Sequence, residues 1–224
     1  MNIKEIISST RAYNFHSHTQ FCDGRASMSD FVEEAIKEGY LHYGFTPHSP
    51  IPIVSPCNMS MEDVTNYIEE FQRLKEIHKD RINLYLSMEI DYLDEQWGAS
   101  NSYFQELPLD YRLSSVHFIP TQSGNQLIDI DGRPETFIRK MHEFFNDDIY
   151  YVVDKFYMQT LKMIEAGGFD IIGHFDKIGF NASHFRPDIE NEAWYKAHIE
   201  CIIKAIKEKG LIAEVNTKAW EAPV

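Results

Sequence analysis

His16 and His18 stand two apart at the end of an apolar run, Ala12 to His16. In an extended strand both imidazoles face one side and can meet at one ion. A lone His-x-His is weak evidence, because a hydrogen-bonded strand histidine reads the same way. The other apolar runs strengthen it. His48 follows Tyr43 to Thr46, Glu89 closes Ile82 to Ile90, His117 closes Tyr111 to Phe118 and His174 closes Phe169 to Phe175. Four consecutive runs thus deliver one candidate ligand each to the same end. Imidazoles and carboxylates without thiolates suit zinc, iron or manganese, and a glutamate such as Glu89 can bridge two ions through its two oxygens. Two ions about 3.5 to 4 Å apart generate a nucleophile from water at neutral pH and neutralise charge growing on a phosphoryl oxygen. The pattern therefore points to a metal-dependent phosphatase.

Neighbouring residues have plainer readings. Cys22, Cys57 and Cys201 are odd in number, widely spaced and form no Cys-x-x-Cys, which fits a reducing compartment and offers no thiolate zinc site. Cys22 is read as a structural thiol, although Asp23 follows it. His42, His78, His142, His184 and His198 lie off the strand-end pattern and are assigned to packing or surface. Asp91 and Asp176 sit two residues past proposed ligands; each could orient a ligand imidazole or cap the next helix. A phosphate also calls for a donor from the protein. Arg186 is the candidate bidentate partner, with Arg25 and Arg133 as weaker rivals and a solvated loop arginine as the ordinary alternative.

The elements that must position these groups alternate. Helices are expected at about Ser29 to Glu38, from the cap Ser60 onward, from Pro134, at about Asp154 to Glu165 and at about Asn191 to Lys209. Gly39, Gly167 and Gly210 act as stops. A sixth strand is expected over Leu211 to Val215, leading to Asn216 and Thr217. Strands alternating with helices imply an α/β fold with parallel sheet, and polar residues at nearly every strand end favour a barrel over a sheet with one switch point. The 224 residues, 43% hydrophobic, need only one domain. Lys plus Arg number 21 against 35 Asp plus Glu, a net charge of −14 that argues against a nucleic-acid surface. With neither a membrane-length apolar run nor a signal-peptide pattern, a cytoplasmic protein without membrane contact is expected.

At the level of whole motifs the chain resembles the PHP (polymerase and histidinol phosphatase) family, in its histidinol-phosphatase branch. The resemblance runs through Asn14-Phe15-His16-Ser17-His18-Thr19, Phe21-Cys22-Asp23-Gly24, Thr46-Pro47-His48-Ser49, Glu89-Ile90-Asp91, Ser115-Val116-His117-Phe118, Gly173-His174-Phe175-Asp176 and Glu214-Val215-Asn216-Thr217. It implies a distorted (β/α)7 TIM-like barrel with two or three divalent ions (zinc, iron or manganese), formed by a single metallohydrolase domain over 1–224. The implied substrate is a small phosphate ester, L-histidinol phosphate, hydrolysed to L-histidinol and phosphate in histidine biosynthesis. Carried over position by position, His16, His18 and Glu89 hold a first ion, Glu89, His117 and His174 a second, and Asp23 and His48 a third. Glu89, Asp23 and His48 are the implied catalytic groups, with an aspartate or histidine of the site helping to protonate the leaving alkoxide. Family members continue into a further βα unit whose strand ends in Asp-x-His. No Asp-x-His occurs in these 224 residues, so the chain is expected to be incomplete at its C-terminus relative to the family. Two alternatives follow: a phosphatase for another ester (a nucleotide, a sugar phosphate or phosphotyrosine), or a metal-binding protein with an incomplete, inactive site.

Overall fold

The computed structural model describes residues 2–215. The expected positions Asn216 and Thr217 lie outside the described residues. The described residues form two compact units, one of residues 2–90 with 102–113 and the other of 91–101 with 114–215.

In the first unit, α1 (Ile3–Ser9) precedes β1 (Tyr13–Asn14), α2 (Met28–Lys37), β2 (His42–Phe45), α3 (Asp63–His78) and β3 (Asn83–Leu86). Helix α1 is capped by Asn2, whose side chain accepts from the Glu5 N–H; nothing in the sequence reading anticipated it. Strands β1, β2 and β3 are parallel, with Tyr13 opposite His42 and Phe45 opposite Leu86. Helix α2 carries a capping box between Ser27 and Asp30, and buries Met28, Val32 and Ala35. In α3, Val64, Phe71 and Leu74 are buried at the helical spacing expected of them, and Tyr67 is buried on the same face where Ile68, half-buried, was expected. Ser60 acts at that helix's start, its hydroxyl accepting from the Asp63 N–H at 3.1 Å.

The run Ile82 to Ile90 is not one strand. It breaks after Leu86 and resumes as β4 (Glu89–Asp91). Pro47 explains the break, because it has no N–H to continue the ladder from β2. Pairing restarts when the Glu89 N–H donates to the Pro47 carbonyl at 3.1 Å and the Ser49 N–H donates to the Glu89 carbonyl at 2.9 Å. The unit also contains α4 (Ser102–Glu106), anchored where Arg112 donates to the Phe104 carbonyl.

The second unit takes over at Asp91. Strand β5 (Leu113–Ser115) is followed by β6 (Phe118–Pro120), β7 (Leu127–Asp129), α5 (Pro134–Phe144), α6 (Ile149–Ala166), β8 (Ile171–Ile172), α7 (Ile178–Phe185), α8 (Ala193–Lys209) and β9 (Ile212–Ala213). The Tyr92 N–H donates to the Ser115 carbonyl, the Gly173 N–H to the Ser114 carbonyl, and β8 pairs in parallel with β9. The expected strand Tyr111 to Phe118 divides, and its second part turns back as an antiparallel hairpin with Phe118 opposite Asp129. The turn was written in Ser123-Gly124-Asn125, where Gly124 adopts φ +72° and its N–H donates to Thr121. Helix α6 begins earlier than expected because Asp148 caps it through the Tyr151 N–H. Its Ile149, Val152, Val153, Phe156 and Tyr157 are buried on one helical face despite their strand-like composition. Helix α7 was not anticipated. Among the described residues, no helix is long and apolar enough to cross a membrane.

Candidate metal centre

Within the first unit, the segment His16-Ser17-His18 is pinned by its middle residue. The Ser17 N–H donates to the Thr46 Oγ1 at 2.9 Å, its hydroxyl donates to the Gly44 carbonyl at 3.0 Å, and the Thr46 N–H donates to the Ser17 carbonyl at 2.9 Å. With Ser17 tied to the neighbouring strand, alternation turns both histidines to the other face. Their Nε2 atoms lie 3.2 Å apart. One Glu89 oxygen stands 3.3 Å from His16 Nε2, 3.2 Å from His18 Nε2 and 3.2 Å from His48 Nδ1, and that carboxylate is only 1% exposed.

Asp23 reaches the same cluster through a tight loop. The Thr19 carbonyl accepts from both the Cys22 and the Gly24 N–H groups, which folds the chain back over His18. A Cβ on Gly24 would lie 2.3 Å from the Thr19 backbone nitrogen, so only glycine fits this approach. Asp23 Oδ1 ends 2.8 Å from His18 Nδ1 and 4.0 Å from His48 Nε2, and these three residues together could hold an ion. The Cys22 Sγ lies 3.7 Å from His18 Nδ1. Burial by itself would lower the His18 pKa, but hydrogen bonds to Asp23, Cys22 and Glu89 and the Glu89 charge raise it to about 12. The His18 hydrogen bond holds Asp23 well below the usual carboxylate range.

In the second unit, His117 and His174 present their Nε2 atoms to each other at 3.4 Å. Asp91 Oδ1 lies 2.6 Å from His117 Nδ1, with side chains 1% and 4% exposed. Of the two roles open to Asp91 in the sequence, this contact fits the orienting one: with the proton on Nδ1 the carboxylate would accept it and leave the Nε2 lone pair for an ion. Asp176, by contrast, accepts the Gly179 N–H at the start of α7 with its backbone carbonyl. Glu214 supports His174, its carboxylate accepting the His174 N–H at 2.9 Å.

Two residues near these histidines escaped the sequence reading. Asp131 stands 3.6 Å from His117 Nε2 and forms an ion pair with Lys177. Burial pushes the Asp131 pKa up, but the charges of Lys177, His117 and His174 outweigh it and the net shift is downward. The signal for Lys177 was its place three residues after His174; no spacing signal marks Asp131. Arg186 stands 2.7 Å from Glu192 and 4.7 Å from the Tyr150 ring centroid. The off-pattern histidines have local partners: His42 with the Tyr85 hydroxyl, His78 with Glu33, His142 with Asp147, His184 with the Phe180 carbonyl and His198 with Asp154.

The donor set fits hard or borderline divalent ions. Imidazole Nε2 atoms 3.2 Å apart beside a buried carboxylate leave either a shared proton or a cation as the species between them. An α/β protein whose strand ends carry such clusters has the makings of a metallohydrolase class. The PHP domain family matches residues 14–218, and the chain belongs to that family.

Among its relatives, a fission-yeast (Schizosaccharomyces pombe) protein named "Probable histidinol-phosphatase" is 29% identical over 222 residues, spanning 92% of this chain and 69% of that one. A solved Listeria monocytogenes structure assigned as the histidinol phosphatase HisK superposes with a TM-score of 0.79 at 19% identity, covering 92% of this chain and 82% of the other. The Lactococcus lactis histidinol phosphate phosphatase, solved with zinc, L-histidinol and phosphate, gives a TM-score of 0.62 at 22% identity, covering 94% of this chain and 74% of the other. At these identities the two structures speak for the fold.

Proposed function

We propose that this chain is a metal-dependent phosphomonoesterase that hydrolyses L-histidinol phosphate to L-histidinol and phosphate. The observation that carries the reading is the Glu89 carboxylate, buried with three imidazole nitrogens 3.2 to 3.3 Å away in a chain of the PHP family. The histidinol-phosphatase names of its relatives supply the substrate. The ligand sets follow the family: His16, His18 and Glu89; Glu89, His117 and His174; and Asp23 with His48. Zinc, iron or manganese in these places would supply an activated water and neutralise charge on the phosphoryl oxygens.

The chain's own residues do the rest. Glu89 holds its imidazoles in one orientation, Asp91 fixes the tautomer of His117, and Asp23 or His48 would take up the proton released from the activated water and pass it to the leaving alkoxide. Family membership also supports reading the chain as one PHP domain built as a distorted (β/α)7 barrel, working on a small soluble ester in the cytoplasm.

A substrate panel tests this reading. Protein loaded in turn with zinc, iron and manganese is given L-histidinol phosphate, a nucleoside monophosphate, a sugar phosphate and phosphotyrosine. The expected result is the highest kcat/KM for L-histidinol phosphate. A higher value for another ester refutes the substrate assignment, and bound metal without hydrolysis of any ester refutes the enzyme assignment.

A further inference from the structure

A phosphoryl group held by metal ions gains further charge-assisted hydrogen bonds from a protein cation, and the second unit holds one paired with the carboxylate next to His117. Lys177 lies one turn after His174 and immediately before α7, and its backbone N–H donates to the His174 carbonyl at 2.9 Å. Its ammonium pairs with Asp131, whose carboxylate is 3.6 Å from His117 Nε2.

The loop carrying Asp131 is fixed on every side. The Ile130 N–H donates to the His117 carbonyl, the Asp131 N–H donates to Asp129 Oδ1 at 2.7 Å, and Lys140 reaches the Asp131 carbonyl at 3.3 Å. From α7, Asn181 donates to the carbonyls of Ile130 and Gly132 at 3.4 and 3.3 Å. Asn181 thus already joins α7 to this loop. A partly exposed ion pair adds only about 0–1 kcal/mol of stability, so the Lys177–Asp131 pair contributes little to holding the helix. Arg186, the sequence candidate for phosphate, is turned to Glu192 and Tyr150.

We propose that Lys177, positioned by Asp131, is the phosphoryl-binding cation of this site, gripping the ester and then the inorganic phosphate product. An ammonium carries three donors and can serve a carboxylate and a phosphoryl oxygen together. The inference rests on the phosphatase reading above for its ligand class, and on the geometry of the second unit for the residue.

The test measures binding of inorganic phosphate to the zinc-loaded protein by calorimetry, which requires no turnover. Lys177→Met should weaken phosphate at least about tenfold and raise KM more than it lowers kcat, with zinc content unchanged, and Lys177→Arg should recover most of the loss. Modification of the Lys177 amine in the unaltered protein, followed by mass spectrometry, should be slowed by phosphate, which keeps the test open if the Met variant does not fold. Phosphate binding that is absent from the parent, or undiminished in Lys177→Met, or an amine that phosphate does not protect, overturns the proposal. Lys177-dependent phosphate binding without hydrolysis of L-histidinol phosphate would sink the substrate assignment and leave this one standing.

Discussion

Asp91→Asn removes a charge without removing volume, at a residue that we assign to the orientation of His117. The Asp91 carboxylate is 2.6 Å from His117 Nδ1 and both side chains are almost fully buried. A hydrogen bond to a charged group is worth about 1.5–3 kcal/mol and a neutral one about 0.5–1.5 kcal/mol. If the amide oxygen still accepts from Nδ1–H, the loss is the difference, about 1 kcal/mol. If the amide turns its NH2 toward the ring, the tautomer reverses, Nε2 carries the proton, and the whole bond is lost. At about 1.4 kcal/mol per tenfold, zinc affinity should fall between about fivefold and a hundredfold, which overlaps the roughly 10–100-fold seen when a partner behind a ligand histidine is removed. Competition for zinc against a chromophoric chelator reads this directly, with thermal melts in chelator as the control for folding. A variant that binds zinc as tightly as the parent refutes the orienting role. So does one whose lost affinity matches its unfolded fraction.

Two further outcomes follow from the first unit. For the metal-free protein, His18 holds its proton to about pH 12 when folded against 6.5 as its ordinary value, so its contribution is full below pH 6.5 and declines as pH rises above it. Asp23, depressed from 3.8, contributes above that pH and loses its contribution as pH falls below it. The two shifts describe one ion pair, so melts in chelator should show greatest stability between about pH 4 and 6.5. Zinc must displace the His18 proton, and its apparent affinity should rise about tenfold per pH unit for each proton released; a pH-independent affinity contradicts this. Gly24→Ala places a Cβ 2.3 Å from the Thr19 backbone nitrogen. It should cost about 2–3 kcal/mol in urea denaturation and weaken zinc by displacing Asp23; an unchanged denaturation midpoint refutes the close-approach argument.

The clustering of histidines and acids and the parallel βα alternation were legible because they depend on local order: period two in Asn14 to His18, helical spacing in Val64 to Leu74, and glycine stops at Gly39 and Gly210. What escaped depends on distant partners. The break in the third expected strand follows from Pro47, 42 residues before Glu89 in the chain, whose missing N–H interrupts the ladder. The hairpin at Phe118 to Asp129 had a readable turn, but its short strands sat inside what looked like one connection. The start of α6 was hidden by a β-branched and aromatic run that tertiary packing made helical. Asp131 and Lys177 meet across 46 residues, a distance over which spacing carries no information. The contacts of Arg186 with Glu192 and Tyr150 likewise join residues whose spacing does not announce them.

The central claim is that ions gathered by Glu89 carry out phosphate-ester hydrolysis. The most direct measurement is elemental analysis beside phosphate release from L-histidinol phosphate, on the same preparations of the parent and Glu89→Gln. The account predicts bound divalent metal and turnover in the parent, both abolished by chelator and restored by zinc, iron or manganese, with metal reduced and turnover lost in Glu89→Gln. Full activity in Glu89→Gln, or turnover in the parent that survives complete removal of metal, would contradict it.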